Sequence, residues 1–233
     1  MSDTAYIQRR GEIQTYFDRT AVDAWKRFAT QAPLGRIRAS VREGRARMRA
    51  LMLSRLPEDL AGWRVLDAGC GTGAMSVELA RRGATVLGID IAPEIIRYAQ
   101  ETLPSDIGSG AITFRAGDML SPGHGDFDAV VAMDSLIHYQ MGDSVAALGR
   151  LAARTHRRIV FTFAPRTPAL AAMHMTGRLF PRANRAPSIV PVRPEAIRAG
   201  LEADLPAGIW QTGATARISH SFYTSQMMEL VRP

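Results

Sequence analysis

The stretch that most constrains the fold is Val65-Leu66-Asp67-Ala68-Gly69-Cys70-Gly71-Thr72-Gly73. Arg64–Asp67 reads as a short buried strand, and it runs into a glycine-rich turn that opens a helix over Ala74 to Arg82. Glycines let the backbone turn tightly and approach a ligand closely. The alternation then continues. Thr85–Ile89 reads as a second strand ending at Asp90, Pro93 to Thr102 as a helix with proline in its first turn, and Ile112–Ala116 as a third strand followed by Gly117-Asp118. Phe127–Met133 is a fourth strand ending at Asp134, Val145 to Ala153 a helix, and Arg158–Phe163 a fifth strand. Strand–helix alternation of this kind predicts an α/β, doubly wound, mostly parallel sheet with right-handed crossovers.

Flanking segments follow other patterns. Ala5 to Ala29 reads as a helix with Ile13, Phe17, Trp25 and Phe28 apolar, and Pro33 and Gly35 break it. Ile37 to Leu56 reads as a second helix with Ile37, Val41, Met48, Leu51 and Met52 on one face. Six prolines between Pro165 and Pro194 interrupt a segment that still carries a helical pattern near Ala169–Phe180. Pro194 to Ala203 is a further helix, and Ala214–Ser219 and Phe222–Val231 form a C-terminal antiparallel strand pair. The expected organisation is an N-terminal helical arm or lid over 1–62 and a core over 63–233, with 165–194 as an insert on the substrate side. A length of 233 residues fits one domain with such additions.

Composition removes several classes. One cysteine leaves neither an intramolecular disulfide nor a multi-cysteine metal site. No apolar run reaches about 18 residues, so no spanning helix is expected. The polar stretch Met1 to Gly11 lacks a signal core, so a cytoplasmic protein is expected. Net charge is +7, and only Lys26 among the basic residues is lysine. The excess is uneven: residues 1–62 carry +5, 63–164 carry −2 and 165–233 carry +4. Its densest part runs from Arg36 to Arg55. Nucleic acid, an anionic membrane surface and an acidic small molecule or protein all fit a basic flank, as does a plain solvated helix face. No aromatic residues interleave Arg36–Arg55 for base stacking, which counts against nucleic acid.

Two cofactors fit the glycine turn. Gly69, Gly71 and Ala74 satisfy a dinucleotide fingerprint, which is a weak signal alone. Asp67, two residues before the first glycine, would sit badly beside a pyrophosphate at a helix N-terminus. It suits an ammonium or sulfonium, and S-adenosylmethionine carries both. Asp90 can bind both ribose hydroxyls, and Asp118 and Met119 lie where adenine would. The turn therefore resembles motif I of the Rossmann-like class I methyltransferases. Candidate cofactor residues are Asp67, Gly69, Gly71, Gly73, Asp90, Ile91, Asp118, Met119 and Asp134. Cys70 reads as a small filler of the turn, not a nucleophile.

After the fourth strand the chain reads Asp134-Ser135-Leu136-Ile137-His138-Tyr139, without the prolines of base-amine methyltransferases. His138 falls where a transferable methyl should point, which makes it the catalytic candidate. This segment resembles the Asp-Val-Leu-Ile-His-Tyr of magnesium protoporphyrin IX O-methyltransferases. Phe163-Ala164-Pro165-Arg166-Thr167, Gly177-Arg178-Leu179-Phe180-Pro181 and Tyr16-Phe17 with Trp25 resemble further segments of that family. Arg42-Glu43-Gly44-Arg45 and Phe222-Tyr223 add weaker matches.

The resemblance implies methyl transfer from S-adenosylmethionine to a propionate of magnesium protoporphyrin IX, in (bacterio)chlorophyll synthesis. It implies substrate contacts at Tyr16, Trp25, Tyr139, Arg166, Arg178 and Arg182, with Met173, Met175, Leu179 and Phe180 against the macrocycle. It implies the large subunit of magnesium chelatase as a partner, and a peripheral place at the photosynthetic membrane. The magnesium belongs to the substrate, so no protein metal site is expected. The family's arm often carries a tyrosine where Lys26-Arg27-Phe28-Ala29 stands here, so a role for that tyrosine does not carry over. Another carboxyl or hydroxyl O-methyltransferase, an RNA methyltransferase and a non-catalytic membrane-surface protein are the alternatives.

Overall fold

The computed structural model describes residues 3–16, 35–166 and 189–233. Two helices come first, α1 (Asp3–Tyr16) and α2 (Arg36–Leu53). The core follows as β1 (Arg64–Ala68), α3 (Ala74–Arg81), β2 (Thr85–Asp90), α4 (Pro93–Glu101), β3 (Ala111–Ala116), β4 (Phe127–Ala132), α5 (Met141–Ala152) and β5 (Thr155–Phe163). The chain closes with α6 (Pro194–Asp204), β6 (Gln211–His220) and β7 (Tyr223–Val231). One seven-stranded sheet results, in the order β3-β2-β1-β4-β5-β7-β6. Its first five strands are parallel, and β7 is antiparallel to both β5 and β6. This is the Rossmann-like class I architecture expected from the sequence.

Residues buried on both faces explain why β1, β2 and β4 read as nearly continuous apolar runs, whereas the edge strand β3 is largely exposed. One cluster joins Leu66, Ile89, Val130, Ile159 and Phe161 to Leu148 and Leu151 of α5 and Leu201 of α6. The other joins Val65, Val86, Val131 and Val160 to Leu79 of α3 and to Met48 and Met52 of α2. Met48 and Met52 of the predicted α2 face are thus seated on the sheet and Val41 and Leu51 partly so, whereas Ile37, in the first turn, is 55% exposed.

Boundaries moved where charge masked the pattern. Helix α5 begins at Met141, not Val145, because its first turn is polar, with Asp143 placed favourably at the positive end of the helix dipole. Strand β5 begins at Thr155, not Arg158, since exposed His156 and Arg157 hide a backbone already paired with β4. The predicted helical stretches past Tyr16 and near Ala169–Phe180 lie outside the described residues. The order of the parallel strands reverses direction between β1 and β4, and ligands of such sheets bind at the strand C-termini beside that point.

Candidate active site

A cavity of about 300 Å³ opens above the C-terminal ends of β1, β2 and β4. Asp67, Gly69, Gly71, Asp90, Ile91, Asp118, Met119, Asp134, His138 and Tyr139 all line it, so ten of the sequence candidates converge on one space. Gly73 is not among the lining residues and forms the N-cap of α3.

The glycine turn is built around the end of β2. Gly69 and Cys70 donate their amides to the Ile89 carbonyl at 2.8 and 2.9 Å. The Asp90 carboxylate accepts from the Gly71 amide at 2.9 Å and from the Ala92 amide at 3.0 Å. Gly69 sits at φ +79°, and a Cβ there would come within 2.3 Å of the Ser135 Cβ. The turn can therefore press against the end of β4 only as glycine. At Gly71 the space where a Cβ would project is open. Cys70 packs with Ile96, Ala99 and Phe114, and burial pushes its thiol well above the ordinary range, which makes it inert.

Asp67 is 1% exposed and accepts a 2.6 Å hydrogen bond from the Ser76 hydroxyl. Desolvation lifts its carboxyl from 3.8 to about 7, against the Ser76 bond, and the neighbouring Asp90 charge adds to the rise. This buried carboxyl stands in the wall of the cavity, where a cation would favour its ionised form.

The arm closes the other sides. Arg10 of α1 pairs with Asp118 at 2.7 Å, Arg9 donates to the His138 carbonyl at 2.9 Å, and Ile13 joins the central core. Arg42, Arg45 and Arg49 of α2 line the cavity, and Arg45 pairs with Asp134 at 2.7 Å. Asp134 has a left-handed φ of 55° and opens the turn that leads into the single-turn 3₁₀ helix Leu136–His138. His138 there is 9% exposed.

The four arginines that line the cavity, Arg10, Arg42, Arg45 and Arg49, were not site candidates in the sequence, although a signal for three existed. Positions 42, 45 and 49 recur as an apolar face would, directly beside the buried stripe of Gly44, Met48 and Met52. Of the proposed substrate residues, Tyr139 lines the cavity. Tyr16 and Arg166 are not among its lining residues, and Arg166 is exposed, held by its backbone amide to the Val192 carbonyl. Trp25, Arg178 and Arg182 lie outside the described residues, as do Met173, Met175, Leu179 and Phe180.

Comparison with known proteins agrees with this arrangement. A model of the family "Magnesium-protoporphyrin IX methyltransferase C-terminus" matches residues 132–232, and a general "Methyltransferase domain" matches 65–157. The magnesium-protoporphyrin O-methyltransferase of Rhodobacter capsulatus is 52% identical over 187 residues, 80% of this chain and 83% of that protein. Its counterpart from Synechocystis is 32% identical over 223 residues, 94% of this chain and 95% of that one. The crystal structure of the Synechocystis PCC 6803 magnesium protoporphyrin IX methyltransferase with bound SAH superposes with a TM-score of 0.80 at 29% identity, covering 96% of this chain and 99% of that one. With bound SAM, the same enzyme gives 0.77 at 26% identity and 97% coverage of each chain. A glycine turn beside a buried carboxyl, a histidine after β4 and these likenesses lead to one assignment: the chain belongs to the magnesium-protoporphyrin O-methyltransferase family.

Proposed function

We propose that this chain methylates one propionate carboxylate of magnesium protoporphyrin IX to the monomethyl ester, an early step towards chlorophyll or bacteriochlorophyll. One observation carries the reading. A single cavity is lined by the carboxyl groups of Asp67 and Asp90, by His138 and by Arg42, Arg45 and Arg49 of α2.

S-adenosylmethionine, when bound, supplies an electrophilic methyl on a cationic sulfur. The residues fit it: a buried carboxyl that needs a cation, an open glycine turn, and an acid at the end of β2. Asp90 takes the ribose hydroxyls, and Asp118 and Met119 border the adenine. Asp67 and Arg49 serve the two charges of the amino-acid end, carboxylate for ammonium and guanidinium for carboxylate. Arg10 and Ile13 cover this space from above and exclude water.

The acceptor is a carboxylic acid with an ordinary pKa near 4, so it is ionised at neutral pH. No base is needed to make it nucleophilic. Catalysis then consists of holding one carboxylate oxygen in line with the methyl, in a site closed to water. His138 orients that carboxylate, and Tyr139, 7% exposed, packs beside it. Arg166, Arg178 and Arg182 remain candidates for the propionates, and Tyr16 and Trp25 for contacts from the arm.

The test is incubation with magnesium protoporphyrin and S-adenosylmethionine, with the monomethyl ester read by mass. His138→Ala should lower kcat at least tenfold under saturating substrate, and unchanged turnover removes the orienting role. A rate that tracks a histidine titration would mark a hydroxyl acceptor instead. No helix among the described residues is long and apolar enough to cross a membrane. Peripheral binding at a photosynthetic membrane, supported by the basic arm, is tested by co-sedimentation with anionic vesicles. Association with the large subunit of magnesium chelatase rests on the family likeness and is tested by co-purification.

A further inference from the structure

Resting on the methyl-transfer reading above, we infer that Asp134 is a positioning residue, the buried clamp that holds the N-terminal half of α2 beside the cavity. Its carboxylate is 6% exposed and has four donors around it. Oδ2 accepts from Arg45 at 2.7 Å, and Oδ1 accepts from the Ser225 hydroxyl at 3.0 Å and the Thr162 hydroxyl at 3.1 Å. The Tyr223 hydroxyl reaches both oxygens, at 3.2 and 3.1 Å. An ionised carboxylate offers about four lone-pair sites. Four donors fill them, so little capacity is left for a cofactor, although Asp134 lies in the cavity wall. The backbone is held too, with the Asp134 amide donating to Thr162 at 2.7 Å. That network keeps a non-glycine residue in the left-handed region, at φ 55°, immediately before the turn that carries His138.

The donors come from β5, β7 and α2, so the clamp spans three elements. Three consecutive α2 residues take part in the same contact. Arg45 pairs with Asp134, Glu43 meets His220 at 3.1 Å, and Gly44 lies against the Tyr223 ring. A Cβ on Gly44 would approach Tyr223 Cδ1 to 2.6 Å, so a glycine in mid-helix is what allows this closeness. Burial pushes the Tyr223 hydroxyl up strongly, and the Asp134 charge adds to it, so the hydroxyl stays a donor.

The division of α2 shows what the clamp is for. Its C-terminal half is anchored by Met48 and Met52, each 0% exposed, and Leu53 at 6%. No side chain from Arg36 to Glu43 is buried. That half, which carries Arg42 into the cavity wall, is held by the contacts of residues 43–45 and by partly buried Val41 against the core. Loosening the clamp should therefore displace Arg42 and the His138 turn while leaving the cofactor end, with Arg49, in place.

The experiment uses the full chain with Asp134→Asn, Tyr223→Phe, Arg45→Gln and Arg45→Lys. Cofactor affinity is read as the Kd of S-adenosylhomocysteine, chemistry as kcat/KM for magnesium protoporphyrin, and the helix by amide hydrogen exchange over 36–44. The clamp requires kcat/KM to fall at least twentyfold in Asp134→Asn and fivefold in the milder Tyr223→Phe, with Kd within threefold of wild type. It also requires exchange over 36–44 to rise at least tenfold, and Arg45→Lys to recover part of what Arg45→Gln loses. A Kd that rises as much as kcat/KM falls would make Asp134 a cofactor ligand and overturn the inference. So would unchanged exchange in 36–44, or a lowered Tm with unchanged kcat/KM. Wild-type protein that forms no methyl ester would overturn the proposed function, and exchange over 36–44 would still decide the clamp.

Discussion

Asp67 offers a test of how the cofactor end works. Burial raises its carboxyl from 3.8 to about 7, because the charged form loses its hydration and the Ser76 bond compensates only in part. The ordinary unfolded value lies near 4. Below pH 4 both states are protonated and the group is neutral to stability. As pH rises from there the unfolded chain ionises first, so the folded state loses stability until about pH 7. The full penalty is about 4 kcal/mol above that point, from 1.36 kcal/mol per tenfold change in proton affinity. A bound ammonium or sulfonium reverses the sign, since it favours the ionised acid. Wild-type affinity for S-adenosylmethionine should fall roughly eightfold between pH 7.5 and pH 6, as the ionised fraction drops from about three quarters to about one tenth. Binding at pH 6 should release close to one proton, measurable by calorimetry in buffers of different ionisation enthalpy. The ligand's own amine loses its proton only near pH 8, so the interval below 7.5 isolates the protein. Asp67→Asn should bind weakly with no such slope, and without cofactor it should be more stable than wild type at pH 8 and no more stable at pH 4. A flat wild-type affinity from pH 6 to 7.5 would refute the reasoning, as would the same slope in Asp67→Asn.

Other outcomes follow from single contacts. Gly69→Ala combines a left-handed backbone with overlap on Ser135, and should cost about 3 kcal/mol by chemical denaturation and abolish cofactor binding. Arg49→Gln should weaken S-adenosylhomocysteine binding ten- to hundredfold, the worth of a charge-assisted hydrogen bond of about 1.5–3 kcal/mol. Methylthioadenosine, which lacks the amino-acid end, should bind both forms equally, and an equal loss for both ligands would remove that role. Arg10→Gln breaks a partly exposed pair with Asp118, worth about 1 kcal/mol or less. It should speed S-adenosylhomocysteine release a few-fold in stopped flow, with Tm nearly unchanged.

Much of this molecule was legible in local pattern. The step from strand to glycine turn to helix follows from backbone sterics and periodicity, which act within about ten residues, and so β1, α3 and the sheet could be read directly. The carboxyl group of Asp67, the acid ending β2 and the histidine after β4 each occupy a position that strand–helix alternation fixes relative to the strand ends. Direction on a helix surface was harder. Arg42, Arg45 and Arg49 were visible as charge, but which way they point depends on α2 docking by Gly44, Met48 and Met52 onto α3, β7 and the sheet between them. Asp134 was read at the cavity in the same way, and it lines it. Its neighbours in sequence put it at the cavity, but its partners Thr162, Tyr223 and Ser225 stand 28, 89 and 91 residues away. The sequence by itself determined the sheet, the glycine turn and the kind of ligand that could sit there, because those depend on near neighbours. The tertiary structure alone decided which charges are buried and what each one faces, because desolvation and pairing depend on elements that meet only when the chain has folded.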